Sequence, residues 1–222
     1  MKYVVIDLEM NPIASVYKAE RTTCKLEVIE IGAVLLDEAY QEIGNFVTLV
    51  KPYFNSRIEK RYEKLTGIKT SMVESAPYFD DALRMFFSWC NSIQDEIQII
   101  QWSDNDFAQI SREIQLKNVS LSVQDKKYID TAWFDFQAEY GHTLGLEHNV
   151  SLKDAVMYAG EDFCGHQHDA LVDARNTAGL FGILHDEAKC QKALQYVIDA
   201  LKPKNNFSIG DLFDFSSLSF SA

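Results

Sequence analysis

Three apolar, β-branched runs open the chain, and helical patterns then alternate with two further strand-like runs, which predicts a mixed α/β layer fold. The first run, Tyr3 to Leu8, is apolar on both of its faces. That is the pattern of a central strand, covered above and below by helices.

The second run begins near Lys25 in KLEVIEIGAVLLD, and IGNFVTLVKP supplies a third that ends where Pro52 would interrupt a ladder. The short link from Glu38 to Glu42 suits a hairpin between these two. SRIEKRYEKLTG sets charges around Ile58, Tyr62 and Leu65 and stops at Gly67, so a helix is expected there. YFDDALRMFFSWCN carries Ala82, Met85, Phe86 and Trp89 at helical spacing. EIQII reads as the fourth strand, and its end delivers the chain into WSDNDFAQI, where Asp106 begins a helix. KKYIDTAW is read as the fifth strand, followed by two short helices, the second capped by Ser151. A long helix is expected from Ala170 to Leu184, with Asp169 as its cap and Leu171, Ala174, Ala178 and Phe181 as its buried stripe. Gly179 and Gly182 inside it permit close packing. A last helix, about Ala188 to Leu201, buries Leu194, Val197, Ile198 and Leu201 before Pro203. The Phe-rich tail beyond it can lie over the domain, join a protein partner or a second copy, or fray.

The 222 residues, 47% hydrophobic and 24% charged, rule out disordered and low-complexity classes. No apolar stretch approaches the ~20 residues that span a bilayer, so no membrane partner is expected. Cys24, Cys90, Cys164 and Cys190 form no CxxC pair and no secretory leader precedes them, which leads to buried, reduced thiols and a cytoplasmic protein. The net charge of −12 argues against a protein that grips a long duplex by neutralising many phosphates. It leaves room for a nuclease with a small footprint, whose metal-holding carboxylates count as negative charge.

Asp7 and Glu9 are two residues apart on a strand, so both side chains share one face. Two anions so close repel unless a cation sits between them, and carboxylate oxygens are suitable ligands for Mg2+ or Mn2+. A strand end rising into solvent is the alternative. Asp106 follows the fourth strand, at the edge where open α/β sheets bind ligands, and Asp173 lies in the first turns of the long helix. Asp104 competes with Asp106 but suits a turn. If the fold gathers Asp7, Glu9, Asp106 and Asp173, the four could hold two divalent ions roughly 3.5–4 Å apart. His168, five residues before Asp173, could take a proton from water across that pocket, with His166 as its rival. The two histidines lack thiolates at zinc-finger spacing.

Taken in order, VVIDLEM, EVIEIGAVLLD, LTGI, WSDNDFAQI and HDALVDARNTAGL resemble the DEDDh family of ribonuclease H-like 3′-5′ exonucleases, a branch of the DnaQ-like superfamily, with enhanced-RNAi-like and KapD-like members closest in pattern. The resemblance spans residues 1 to 185, which makes residues 186 to 222 an extension of the same domain by a helix and the Phe-rich tail. It implies a five-stranded mixed sheet of ribonuclease H-like topology with helices on both faces. It also implies release of nucleoside 5′-monophosphates from a 3′ end. By similarity Asp7, Glu9, Asp106 and Asp173 bind two divalent metal ions, Mg2+ or Mn2+, with Asp7 bridging them and His168 as general base. Ser103 stands where many relatives have glycine, and Met10 with Asn11 where threonine is common.

The acidic balance favours a short single-stranded 3′ end, RNA before DNA, over a duplex. A DNA-trimming or proofreading subunit is the nearest alternative. A catalytically silent nucleic-acid-binding or partner-binding module is the alternative of another class. Arg57, Lys60, Arg61 and Lys64 could form a local basic rim, or pair with the interleaved Glu59 and Glu63. Tyr53 and Phe54 serve either core packing or base stacking.

Overall fold

The computed structural model describes residues 1–201 apart from 132 and 147, with the side chains of residues 131 and 198–201 also outside the description. Its elements in chain order are β1 (Lys2–Pro12), α1 (Glu20–Thr23), β2 (Leu26–Leu36), β3 (Glu42–Leu49), α2 (Lys60–Thr66), α3 (Thr70–Val73), α4 (Phe79–Ser92) and β4 (Ile97–Gln101). They continue with α5 (Asn105–Lys117), α6 (Val123–Thr131), β5 (Trp133–Asp135), α7 (Phe136–Leu144), α8 (Leu152–Tyr158), α9 (Ala170–Leu184) and α10 (Glu187–Leu201).

The five strands form one sheet in the order β3-β2-β1-β4-β5. β1 is central, antiparallel to β2 and parallel to β4; β2–β3 is an antiparallel hairpin and β4–β5 a parallel pair. The two apolar faces of β1 have separate partners. Val4, Ile6 and Leu8 pack with Phe79, Leu83, Phe86 and Phe87 of α4, while Val5 packs with Phe136, Tyr140, Ala174 and Phe181 from α7 and α9. The sheet is therefore buried on both faces, as expected of a strand order with parallel crossovers. Among the described residues no helix is long and apolar enough to cross a membrane.

The β1–β2 ladder carries one irregularity. Glu9 pairs with Glu30 but Met10 pairs with Val28, so Ile29 is an extra residue in β2, a β-bulge. Ile29 leaves the two main cores and joins Ile58, Ile68 and Val73 in a third, which seats α2 and α3 beside the far end of β1. α2 stops at Gly67, whose left-handed φ of 75° lets its N–H return to the Glu63 carbonyl.

Several expectations are corrected. KKYIDTAW is mostly helix: Ser122 Oγ accepts the Asp125 N–H at 3.1 Å, the Asp125 carboxylate accepts the Ser122 N–H at 3.3 Å, and this reciprocal cap starts α6. Tyr128 then stacks on Phe87 at 5.8 Å, and only Trp133–Asp135 is strand. In α4 the inward stripe is Phe79, Ala82, Leu83, Phe86, Phe87 and Cys90, whereas Met85 is exposed. The thiols are not uniformly buried, since Cys164 is exposed and Cys190 partly so, although all four are free. The glycine that admits close packing in α9 is Gly182, against Tyr40; nothing approaches Gly179. α9 spans the expected residues, and Asp169 caps it by accepting the Val172 N–H at 3.1 Å. α10 seats Ala193 and Val197 in the core shared by α8 and α9, while the expected roles of Ile198, Leu201 and the Phe-rich tail lie outside the described residues.

Candidate active site

Asp7 and Glu9 alternate along β1 onto the face that α9 covers. β4 ends at Gln101, opposite Ile6, so Asp7 is the first β1 residue beyond the parallel ladder. There the Gln101 side-chain oxygen accepts the Phe107 N–H at 2.9 Å and fixes the turn into α5. Asp106, in the first turn of α5, is buried and accepts the Leu8 N–H. β1 and the start of α5 thus present three carboxylates to one space.

The fourth comes from α9 and depends on β2. Gly32 faces Asp7 across the β1–β2 ladder, and a Cβ there would lie 2.3 Å from the Leu171 nitrogen and 2.4 Å from the Ala170 carbonyl carbon. The missing side chain lets the start of α9 rest directly on the sheet. Glu30, opposite Glu9, accepts the Ala170 N–H at 3.2 Å and so holds the first N–H of α9. One turn on, Asp173 is buried. One of its oxygens accepts the His168 backbone N–H at 3.1 Å, and the other, Oδ1, is buried without a hydrogen-bond partner. His168 has a left-handed φ of 64°, uncommon for a residue other than glycine. Ligand atoms of Glu9, His168 and Asp173 all lie within 4.8 Å of one another.

The electrostatics carry one sign. Burial, followed by the charges of Asp106, Glu9, Asp173 and Glu30, pushes the Asp7 carboxyl well above the usual carboxylate range. Glu9 is pushed up to about 8 by burial and then by Asp173 and Glu30, and Asp106 to about 7 by burial, partly offset by its bond from Leu8. Burial also raises Glu30 and Asp173, the latter opposed by the His168 N–H and by the charges of His168 and His166. No lysine or arginine among the described residues is ion-paired with any of these five acids. A site that resists its own ionisation, with a buried orphan oxygen on Asp173, fits a divalent cation, whose charge would relieve the repulsion. Asp7, Glu9, Asp106 and Asp173 could offer hard oxygen donors, and among the described residues Glu9, Asp173 and the His168 ring have ligand atoms close enough together to share one ion.

The rivals fall outside. Asp104 is exposed and makes no capping bond. His166 is exposed and reaches Asp173 only through its charge. Tyr53 stacks on Tyr78 at 4.3 Å, with both rings exposed, Phe54 contacts Tyr17 at 5.2 Å, and the N–H groups of Tyr53 and Phe54 both donate to the buried Glu27.

Three contributors escape a reading of the sequence. Glu30 and Gly32 read as ordinary members of an apolar strand; their signal is the second acid of EVIEIG, two residues before its glycine. Asn11, fully buried, donates to the Arg57 carbonyl at 3.0 Å and accepts the Glu59 N–H at 2.9 Å, tying the approach to α2 onto β1 two residues beyond Glu9.

Known proteins of similar sequence and fold are nucleases. A family described as RNase T exonuclease matches residues 4–181. The curated protein ERI1 exoribonuclease 2 of Danio rerio is 28% identical over 193 residues, which cover 79% of this chain and 33% of that protein. The chain thus spans about a third of the length of that relative. Among solved structures, the nuclease domain of 3′hExo, a DEDDh family member bound to rAMP, superposes with a TM-score of 0.67 at 19% identity, covering 82% of this chain and 90% of that one. The Mg2+ and Mn2+ bound form of S. pombe Pop2p gives a TM-score of 0.59 at 18% identity, with 82% of each chain covered.

Proposed function

The chain belongs to the RNase T exonuclease family, and we propose that it hydrolyses phosphodiester bonds one at a time from the 3′ end of single-stranded RNA, releasing nucleoside 5′-monophosphates. The observation that carries this reading is the mutual repulsion of Asp7, Glu9, Asp106 and Asp173, drawn from three distant segments, with no lysine or arginine among the described residues ion-paired to them. Residues 1 to 185 form the exonuclease domain in this reading, and α10 extends the same core.

Two divalent ions, Mg2+ or Mn2+, held by these four carboxylates, would supply Lewis-acid stabilisation of the charge that develops on the phosphate and lower the pKa of water. The chain's own groups do the rest. His168 accepts the proton of the attacking water at a ring nitrogen as the new P–O bond forms, and the 3′ oxygen leaves with the electron pair of the broken P–O bond and takes a proton from solvent to become a hydroxyl. Asp173 steadies that residue by accepting its backbone N–H. Glu30 and Gly32 fix the height of α9 above the sheet, and with it the distance from Asp173 to Asp7 and Glu9.

RNA is preferred over DNA because the Danio rerio relative is an exoribonuclease and the nuclease domain of 3′hExo is bound to rAMP. Matched end-labelled RNA and DNA single strands, linear and circular, incubated with Mn2+ test the proposal. Mononucleotides should appear from the first time point on linear RNA while circles stay intact. Opening of circles would overturn exonucleolytic action. Equal or faster cleavage of DNA would move the substrate to the DNA-trimming alternative, and absence of cleavage with all five residues intact would leave the silent binding module.

A further inference from the structure

α2 carries its cations on one side. At about 100° per residue, Lys60, Arg61 and Lys64 fall within an arc of about 100°, with Glu63 at its edge about 60° beyond Lys60. Arg57 and Glu59 lie on the approach to α2. All four cations are exposed, and among the described residues none lies within ion-pair distance of Glu59 or Glu63. The expected internal pairing is thus not made. Lys60, Arg61, Lys64 and the half-exposed Leu65 instead line a shallow concavity of about 500 Å³. In a chain of net charge −12, this is a cationic surface left free in an acidic molecule.

Its position is fixed relative to the acids. The buried Asn11 amide binds the Arg57 carbonyl and the Glu59 N–H, the peptide groups that lead into α2. Asn11 itself follows Glu9 by two strand residues, about 7 Å. The bulge at Ile29 and its contacts with Ile58 and Ile68 anchor the same segment from β2. The segment that leads into the cationic helix is therefore bonded directly to the strand that carries Asp7 and Glu9.

We propose that this side of α2 binds the phosphate backbone of the single strand a few nucleotides upstream of its 3′ end, with Asn11 as the residue that positions it. The inference rests on the exonuclease reading and adds to it a second contact region, which acts through charge and not through base identity. A strand long enough to reach α2 gains these contacts; a dinucleotide does not. Each exposed phosphate contact should release counterions and steepen the salt dependence by about 0.7 in the log–log slope for a single strand.

The test compares the wild type with the Lys60→Gln/Lys64→Gln double variant, and with Lys60→Arg/Lys64→Arg as the charge-retaining control. Steady-state cleavage of a dinucleotide and a twelve-nucleotide strand is measured with Mn2+ across a KCl series, and fluorescence anisotropy follows binding of the labelled twelve-nucleotide strand. The glutamine variant should lose about 10-fold in kcat/KM on the long strand through KM, keep its dinucleotide rate, and show a salt slope lower by about 1.4; the arginine variant should match the wild type. An equal loss on both lengths, or no loss on the long strand, would overturn the proposal. If the wild type cuts neither substrate, the exonuclease reading fails by itself, and the anisotropy titration still decides the surface. An unchanged salt slope in the glutamine variant would overturn it, and a slope lower by about 1.4 would sustain it as a nucleic-acid binding surface.

Discussion

Replacing Gly32 with alanine puts a methyl carbon 2.3 Å from the Leu171 nitrogen, 2.4 Å from the Ala170 carbonyl carbon and 2.7 Å from the Ala170 oxygen. All three are backbone atoms at the start of α9, so no rotamer change can make room. Ordinary contact begins near 3.4 Å, and α9 must therefore retreat from β2 by about 1 Å. The retreat stretches the Glu30 bond to the Ala170 N–H and carries Asp173 and the His168 turn away from Asp7 and Glu9. Overpacking of this kind costs about 1–3 kcal/mol, against roughly 0.5–1 kcal/mol gained by removing a strand glycine, so net destabilisation is expected. A misplacement of about 1 Å at a reacting centre can cost 10²-fold in rate, which makes the loss of turnover the larger signal. The assay is kcat on an end-labelled single strand with Mn2+, alongside a urea melt. Gly179→Ala is the control: nothing lies near that Cβ, and a helical glycine replaced by alanine should leave activity unchanged and raise stability by about 0.5–1 kcal/mol. A Gly32→Ala protein with wild-type kcat and melting midpoint would refute the claim that this contact sets the geometry of the site.

Other expectations rest on the same geometry. Exhaustive chelation should abolish cleavage and Mn2+ restore it, and Asp7→Asn should lose activity; undiminished cleavage by metal-stripped protein would end the metal-dependent reading. His168→Ala should lower kcat by about 100-fold with metal binding largely kept, whereas the exposed His166 should matter little; the reverse ranking would mean that the wrong ring has been assigned. Stability should depend on pH with a defined sign. A carboxyl whose pKa is higher in the folded protein holds its proton more tightly there, so its contribution is full below the ordinary carboxylate pKa and is lost as pH rises through the folded value. For Glu9 the window runs from 4.5 to about 8, and for Asp106 from 3.8 to about 7. Metal-free wild type should therefore lose Tm across that window relative to Glu9→Gln, and Mn2+ should raise Tm more at pH 8 than at pH 5; parallel profiles would contradict the assigned electrostatics.

The sequence alone determined whatever is written in neighbouring residues. Alternation placed Asp7 and Glu9 on one face of β1, apolarity on both faces made that strand central, and Asp169 and Gly67 marked the ends of α9 and α2. The order of the acids and of His168 along the chain was enough to name the family that they resemble. Tertiary structure decided what depends on partners far along the chain. KKYIDTAW offers β-branched and aromatic residues to a strand, but the Ser122–Asp125 cap and the packing of Tyr128 on Phe87 make it a helix. Cys164 is exposed because its segment crosses the surface ahead of α9, which no count of cysteines can reveal. Glu30 and Gly32 acquire their roles only when α9, about 140 residues later, settles on β2. The bulge at Ile29 has no local signature either, since it exists only as a mismatch between two paired strands. Periodicity and capping are energies of adjacent residues and can be read from one segment, whereas register, close approach and the mutual repulsion of buried acids are energies of pairs that the folded chain alone brings together.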